Sequence, residues 1–137
     1  SYADPVTFVP VEGEESGNVN RAEAEAVGRV HEDLIAAGVS SEEIAVIAPF
    51  RAQVAEISRR LPDDVAVDTV DRFQGSSEEV VVVSFVASDD LESPVFDDPR
   101  RLNVALTRAK RSLVLIGNPD ALRTDPFCSR LLEWARR

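Results

Sequence analysis

The sequence predicts an α/β domain built on a mostly parallel sheet with helices on both faces. Strand-like and helix-like segments alternate along the 137 residues, which is the pattern of parallel strands joined by crossover helices. The strand-like segments are continuous apolar runs, as expected for strands that are buried on both faces. A hydrophobic content of 44% is enough for a real core. We therefore predict that residues 1–137 form a single domain.

The first half of the chain contains three predicted strands and two predicted helices. The strands are Val6–Val11, Ile44–Ala48 and Val65–Asp68, and the helices are Asn20–Ala37 and Ala52–Leu61. Apolar residues recur at helical spacing in the first helix. Gly38 and Pro62 follow the two helices, at the positions where residues that stop a helix are expected.

The second half adds two strands and two helices. These are a strand at Val80–Val86, a helix at Arg100–Ala109, a strand at Ser112–Ile116 and a helix at Phe127–Arg136. An acidic loop at 88–99 precedes the first of these helices. Ligands of parallel sheets bind at the carboxyl ends of the strands. The loops that follow the strands are therefore the places where a site is expected.

The charge balance limits the classes of partner. The chain carries 25 acidic and 15 basic residues, and Lys110 is its only lysine. A net charge of −10 argues against a protein that coats duplex nucleic acid, but not against a local groove for a single strand. The acidity has two explanations, a salt-adapted cytoplasmic protein or an ordinary acidic domain.

Other features of composition concern location and completeness. The single cysteine, Cys128, excludes an internal disulfide and a cysteine-rich zinc site, and we predict no metal site in this chain. Because no apolar run reaches the ~18 residues of a membrane span and no signal segment opens the chain, we expect a cytoplasmic protein with no membrane partner. The absence of methionine suggests a fragment of a larger protein.

The sequence holds no complete set of catalytic residues. Lys110 follows Ala109 rather than glycine, so the phosphate-binding pattern G-x-x-x-x-G-K-[ST] is absent. The only histidine, His31, lies in the middle of a predicted helix, where a surface position is more common than a catalytic one. A nucleotide enzyme of this architecture would need a second domain.

One segment of interest connects a strand to a helix, at Ile47–Gln53. Pro49 interrupts the backbone ladder where the strand leaves the sheet, so Phe50 and Arg51 would project at the ligand edge. The alternative is that Pro49 and Phe50 form only a turn and a core anchor.

A second segment, Val67–Glu79, joins two strands through a polar loop. Gln74 and Gly75 allow close approach of the backbone to a ligand. Thr69 offers a hydroxyl and an amide that suit a phosphate oxygen. The alternative is a simple connection with Phe73 as its apolar plug.

The third segment, Arg100–Arg111, contains five of the fifteen basic residues. Arg101 and Arg108 are seven positions apart, and hence on one face of a helix. The alternative is a helix with basic ends, where residues 108–111 would complement the negative end of the helix dipole.

Taken in order, these segments resemble the C-terminal RecA-like motor domain of superfamily 1 helicases. The resemblance is greatest to the subgroup that contains the nonsense-mediated-decay RNA helicase and DNA helicase-nucleases. Ile47–Gln53 resembles motif IV, Asp68–Ser84 motif V and Arg100–Ala109 motif VI, and Asn20–Ala24 resembles a further box of the family. The resemblance implies a RecA-like three-layer sandwich, and it covers nearly the whole chain.

The resemblance also implies roles for individual residues. ATP with Mg²⁺ would lie between this domain and an N-terminal motor domain of the same protein, and the partner would be single-stranded DNA or RNA. By position, Arg108 is the arginine finger, Arg21, Gln74, Gly75 and Glu78 face the nucleotide, and Pro49, Phe50 and Thr69 line the single strand. The residues expected to support these motifs are Asn20, Glu23, Gln53, Asp71, Arg101, Asn103 and Thr107.

One position departs from the family pattern, in which motif V reads Gln-Gly-x-Glu. Here Ser77 replaces the glutamate, and Glu78 follows one position late. Either Glu78, in a loop, turns toward the nucleotide cleft, or Ser77 makes a weaker hydroxyl contact there. The departure keeps open a second reading, in which the domain is a nucleic-acid-binding scaffold without ATP turnover.

Overall fold

A computed structural model describes residues 6–11, 19–69, 78–86 and 109–119, together with Ser129 and Glu133. The described elements are β1 (Val6–Pro10), α1 (Arg21–Ala36), a 3₁₀ turn (Ser41–Glu43), β2 (Ile44–Ile47), α2 (Arg51–Ser58), β3 (Ala66–Asp68), β4 (Glu78–Ser84) and β5 (Ala109–Gly117). The five strands form one sheet in the order β1-β5-β4-β2-β3. All four strand pairings are parallel.

The centre of the sheet is formed by the most apolar strands. β4 lies between β2 and β5, and Val82 pairs with Val46 on one side and Val114 on the other. All three valines are buried. Apolar runs of this kind suit strands with no solvent-facing side. The predicted α/β fold with a parallel sheet is thus confirmed.

Helices α1 and α2 pack against the same face of this sheet. The buried stripe of α1 contains Ala24, Val27, Val30 and Leu34. Ile57 of α2 packs in the same core cluster. On the opposite face of the sheet, the side chains that alternate with those of the cluster are also buried, including Ala45, Val81 and Leu113. Solvent is therefore excluded from both faces. The predicted helices at 100–109 and 127–136 fall outside the described residues, except for Ala109, Ser129 and Glu133.

Two predicted boundaries near motifs V and VI are wrong. The predicted last helical residue, Ala109, is the first residue of β5, where it pairs with Glu78 of β4. Lys110 and Arg111 are exposed strand residues rather than cations at a helix end. Glu78 belongs to β4 rather than to a loop. Backbone pairing explains both errors, because it is made by main-chain groups and can include charged residues at the start of a strand.

The end of β4 also differs from the prediction, which continued the strand to Val86. The strand ends at Ser84, although Phe85 still donates its amide to the Ile116 carbonyl at 3.1 Å. Val86 is buried and has a φ of 71°. A β-branched residue rarely adopts this left-handed conformation, so the backbone at Val86 is strained.

Candidate functional site

Four polar side chains meet where α1, α2 and β4 come together. They are Asn20, Glu23, Gln53 and Ser84, each 0% exposed, and they are called the buried junction below. Buried polar groups are costly unless they are hydrogen-bonded. The junction lies at the carboxyl edge of the sheet, since α1 and α2 follow β1 and β2 and Ser84 ends β4.

The first part of the junction caps helix α1. The Glu23 amide donates to the Asn20 side-chain oxygen at 3.0 Å. In return, the Asn20 side-chain amide donates to Glu23 Oε2 at 3.3 Å. Asparagine is a favoured capping residue because its oxygen satisfies an amide that the first helical turn leaves unpaired. The cap fixes the position where α1 begins.

The second part ties α1 to the end of β4. Glu23 Oε1 accepts the Ser84 hydroxyl at 2.8 Å and the Val86 amide at 2.9 Å. Hydrogen bonds to a carboxylate are stronger than those between neutral groups. Glu23 therefore ties Val86, in its left-handed backbone conformation, to the first turn of α1.

The third part ties α1 to α2 through Gln53. Its side-chain oxygen accepts the Asn20 amide at 2.9 Å, and its side-chain nitrogen donates to the Asn20 carbonyl at 2.9 Å. The same nitrogen donates to Ser84 Oγ at 3.3 Å. A primary amide has two donor hydrogens, so both bonds can form together. Gln53 thus holds both backbone groups of Asn20.

The candidate nucleic-acid residues lie beside the junction, at the ends of β2 and β3. Pro49, Phe50 and Thr69 are half-buried. Asp68 organises this edge, because its carboxylate accepts the Thr69 amide at 2.7 Å and pairs with the Arg51 guanidinium at 3.4 Å. The Thr69 amide already donates to Asp68, so any contact of this residue with a phosphate would be made by its hydroxyl.

The candidate nucleotide residue Arg21 lies on the solvent side of the α1–α2 contact. It approaches Glu56 at 3.8 Å, and Arg59 and Arg60 approach the same carboxylate at 3.0 Å and 3.1 Å. These four residues are called the arginine cluster below. The hydrogen bond from Arg60, with the charges of Arg59, Arg60 and Arg21, holds the pKa of Glu56 below its ordinary value of 4.5, against the opposing effect of burial.

The remaining candidate residues have no described side-chain placement. Seven lie outside the described residues, namely Asp71, Gln74, Gly75, Arg101, Asn103, Thr107 and Arg108. The side chain of Glu78 also lies outside them, as does Ser77, so the orientation of neither is described.

Sequence reasoning missed the contributions of Ser84, Val86 and Glu56. Ser84 carried a usable signal, since it is the only polar residue in the run from Val80 to Val86. A polar residue in a buried strand needs a hydrogen-bond partner. Val86 and Glu56 carried no comparable signal, because their roles depend on backbone conformation and on contacts between α1 and α2.

Comparison with known proteins identifies the family. A profile of the family described as AAA domain matches residues 4–120. The chain belongs to this family. Among the described residues of this AAA domain, no helix combines the length and the apolar character that a membrane crossing requires.

Relatives of this AAA domain include proteins that are named as helicases. It is 38% identical over 96% of its length to an uncharacterized ATP-dependent helicase of Methanocaldococcus jannaschii. It is 41% identical over 95% to a DNA replication ATP-dependent helicase/nuclease of Bos taurus, and 33% identical over 95% to a regulator of nonsense transcripts 1 homolog of Drosophila melanogaster. The chain spans 20%, 14% and 12% of these relatives, respectively. The predicted resemblance to superfamily 1 helicases is confirmed.

A solved structure supports the fold. The C-terminal domain of a possible DNA helicase from Lactobacillus plantarum aligns with a TM-score of 0.57 over 93% of this chain and 80% of that one. The sequence identity is 16%, so this likeness concerns the fold alone.

Proposed function

We propose that this AAA domain is the second motor domain of an ATP-dependent superfamily 1 helicase. In this role it supplies the arginine finger, Arg108, and part of the track for single-stranded DNA or RNA. The proposal is carried by one arrangement at the carboxyl edge of the sheet. Gln53 joins the backbone beside Arg21, a candidate nucleotide contact, to the helix that begins directly after Pro49 and Phe50, the candidate strand contacts.

The nucleotide site is proposed to be shared between two domains. This chain has no phosphate-binding loop, so an N-terminal motor domain of the same protein would bind the phosphates and Mg²⁺. When bound, ATP with Mg²⁺ supplies the phosphoryl group that is transferred to water. The described residue that fits this group is Arg21, whose side chain is 80% exposed. Gln74, Gly75 and Glu78 would complete the nucleotide contacts.

The strand track is proposed to follow the ends of β2 and β3. Pro49, Phe50 and the Thr69 hydroxyl would contact mainly the backbone of the strand. Arg51 adds a positive charge at this edge, offset in part by Asp68. A track of this kind needs only a few phosphate contacts, which agrees with an acidic domain. A cytoplasmic location and adaptation to salt are further parts of the proposal, and both rest on composition.

The first test replaces the proposed arginine finger in the full-length protein. Arg108→Ala should lower ATP turnover by about 10³-fold or more, while leaving nucleotide affinity close to that of the wild type. Arg108→Lys is the matched control, because it keeps the charge but loses the forked geometry that arginine offers to phosphate oxygens. Its turnover should also fall strongly. The measurement is steady-state ATPase together with nucleotide binding.

Two outcomes of this test would redirect the proposal. Near-normal turnover in Arg108→Ala would mean that motif VI has been assigned to the wrong role. An absence of turnover in the wild-type protein, with single-strand binding retained, would favour the scaffold function that Ser77 suggests. Residues 1–137 alone should not hydrolyse ATP in either case.

A further inference from the structure

Gln53 contacts both parts of the candidate site, namely Phe50, a candidate strand contact, and Asn20, which precedes Arg21. Its backbone amide donates to the Phe50 carbonyl at 3.0 Å. Its side chain holds the amide and the carbonyl of Asn20, each at 2.9 Å. A continuous chain of hydrogen bonds therefore runs from Phe50 through Gln53 to Asn20, the residue that precedes Arg21 in the sequence.

This link is rigid for physical reasons. Gln53 and Asn20 are both 0% exposed, so water cannot replace a bond that is lost. Gln53 accepts one hydrogen bond from Asn20 and donates one to it, and together these fix both the distance between the two residues and their relative orientation. In addition, the Asn20 carbonyl accepts the Ala24 amide at 3.1 Å within α1. A displacement of Gln53 would consequently be transmitted to the first turn of α1.

The groups at the two ends are freer than the link. Phe50 is half-buried. Arg21 is 80% exposed, and its contact with Glu56 is the longest in the arginine cluster. A side chain in this condition can follow its backbone without breaking a strong interaction. The arrangement is thus a fixed connection between two residues that can each meet a ligand.

We propose that Gln53 is a positioning residue that couples strand binding at Pro49–Phe50 to the placement of Arg21. The inference rests on the proposed function, because it takes Phe50 as a strand contact and Arg21 as a nucleotide contact. Binding of a single strand restrains the start of α2, and the bonds between Gln53 and Asn20 pass this restraint to the start of α1. Arg21 is thereby placed for a phosphate.

The coupling can be measured without ATP turnover, by amide hydrogen exchange on the full-length protein. The probe is a thymidine oligonucleotide, with the uridine counterpart as a second arm. In the wild type, the oligonucleotide should slow exchange in residues 49–54 and also in residues 20–24. The expected factor is about threefold to tenfold in each segment, which corresponds to the net free energy of about one hydrogen bond.

Two variants separate coupling from stability. Gln53→Met keeps the length of the side chain but loses both bonds to Asn20. Ser84→Ala is the matched control, because it removes hydrogen bonds from the same junction and leaves the two bonds between Gln53 and Asn20. The slowing at 20–24 should disappear in Gln53→Met and persist in Ser84→Ala, while the slowing at 49–54 persists in both.

Each outcome decides the inference. Slowing at 49–54 without slowing at 20–24 in the wild type would overturn the coupling while leaving the strand track intact, and it does so even where Gln53→Met does not fold. Persistence of the slowing at 20–24 in a folded Gln53→Met protein would also overturn it. An absence of slowing at 49–54 in the wild type, with either oligonucleotide, would overturn the strand track and the coupling together.

Discussion

Helices α1 and α2 are joined twice, by two regions of opposite character. The buried junction uses Asn20 and Glu23 of the α1 start and Gln53 of α2, and it excludes solvent completely. The arginine cluster uses Arg21 and Glu56 with two further arginines. Its two outer arginines are exposed, at 80% and 71%, whereas the third, at 27%, and the shared carboxylate, at 12%, are partly covered. The first region is built of short hydrogen bonds and the second of ion pairs.

The difference shows which contact determines where α1 lies. When the partner of a polar group in the junction is removed, no water can form a hydrogen bond with that group, so each lost bond carries a desolvation cost. In the cluster, the charges of the two exposed arginines are solvated and screened, and an ion pair with an exposed partner contributes little to stability. The junction should therefore set the geometry of the two helices, whereas the cluster mainly sets the local charge around Arg21.

The largest effect is expected when Glu23 is replaced by alanine. This change removes the acceptor for the Ser84 hydroxyl and the Val86 amide. Both donors stay buried, so we expect a loss of about 3 kcal/mol or more in the free energy of unfolding. Urea denaturation at one fixed high salt concentration measures it. The control is Glu25→Ala, an exposed glutamate of the same helix.

The control should change the free energy of unfolding by no more than about 0.5 kcal/mol. A similar small loss for Glu23→Ala would show that the junction is not the structural joint described above.

An intermediate effect is expected for Ser84→Ala. The Ser84 hydroxyl donates to Glu23 and accepts from Gln53, but Glu23 keeps the Val86 amide and Gln53 keeps both bonds to Asn20. We expect a loss of about 1–2 kcal/mol, smaller than for Glu23→Ala. Ser58→Ala, at the exposed end of α2, is the control in the same urea titration. If Ser84→Ala were as mild as this control, its hydroxyl would contribute no net stability.

The smallest effect is expected for Glu56→Gln in the arginine cluster. The urea midpoint should shift less than in Ser84→Ala, and the shift should shrink further as salt is added, since salt screens exposed charges. Glu25→Gln provides a control for the loss of one negative charge from an acidic chain. A shift larger than that of Ser84→Ala, or one insensitive to salt, would reverse the ranking of the two regions.

The same variant has a defined pH dependence. The pKa of Glu56 lies below 4.5 in the folded chain, so its ionised form is favoured by folding. The resulting stabilisation is fully present above the unfolded value and is lost as the pH falls through the folded pKa. The midpoints of wild type and Glu56→Gln should therefore differ at neutral pH and converge below pH 4.5. A difference that widens in acid would contradict the assigned direction.

The sequence predicted the sheet better than the ends of its strands. The apolar runs at 44–47 and 80–83 identified two central strands because burial on both faces leaves a clear pattern. The starts of β4 and β5 were missed because Glu78, Lys110 and Arg111 carry no apolar signal. Their strand conformation comes from backbone pairing, which depends on residues distant in sequence.

The candidate site also contains residues that the sequence predicted and residues that it did not. Asn20, Glu23 and Gln53 were selected through resemblance to a family, without a reason for their presence. Their physical reason is the closed set of hydrogen bonds, which joins residues 33 and 61 positions apart. Contacts at such separations leave no local periodicity in a sequence. Val86 could therefore be assigned only from the fold, and the polar signal at Ser84 did not identify its partners.

The left-handed backbone conformation of Val86 affects which residues this position can accept. Glycine would relieve the backbone strain, a gain of roughly 1–2 kcal/mol, but it would leave space where a 0% exposed valine now packs. Burial of a valine side chain contributes about 1.5–3 kcal/mol, so the loss offsets most or all of the gain. Substitution tolerance at the exit of β4 therefore depends on side-chain volume as well as on backbone conformation, although its φ of 71° is one that usually favours glycine.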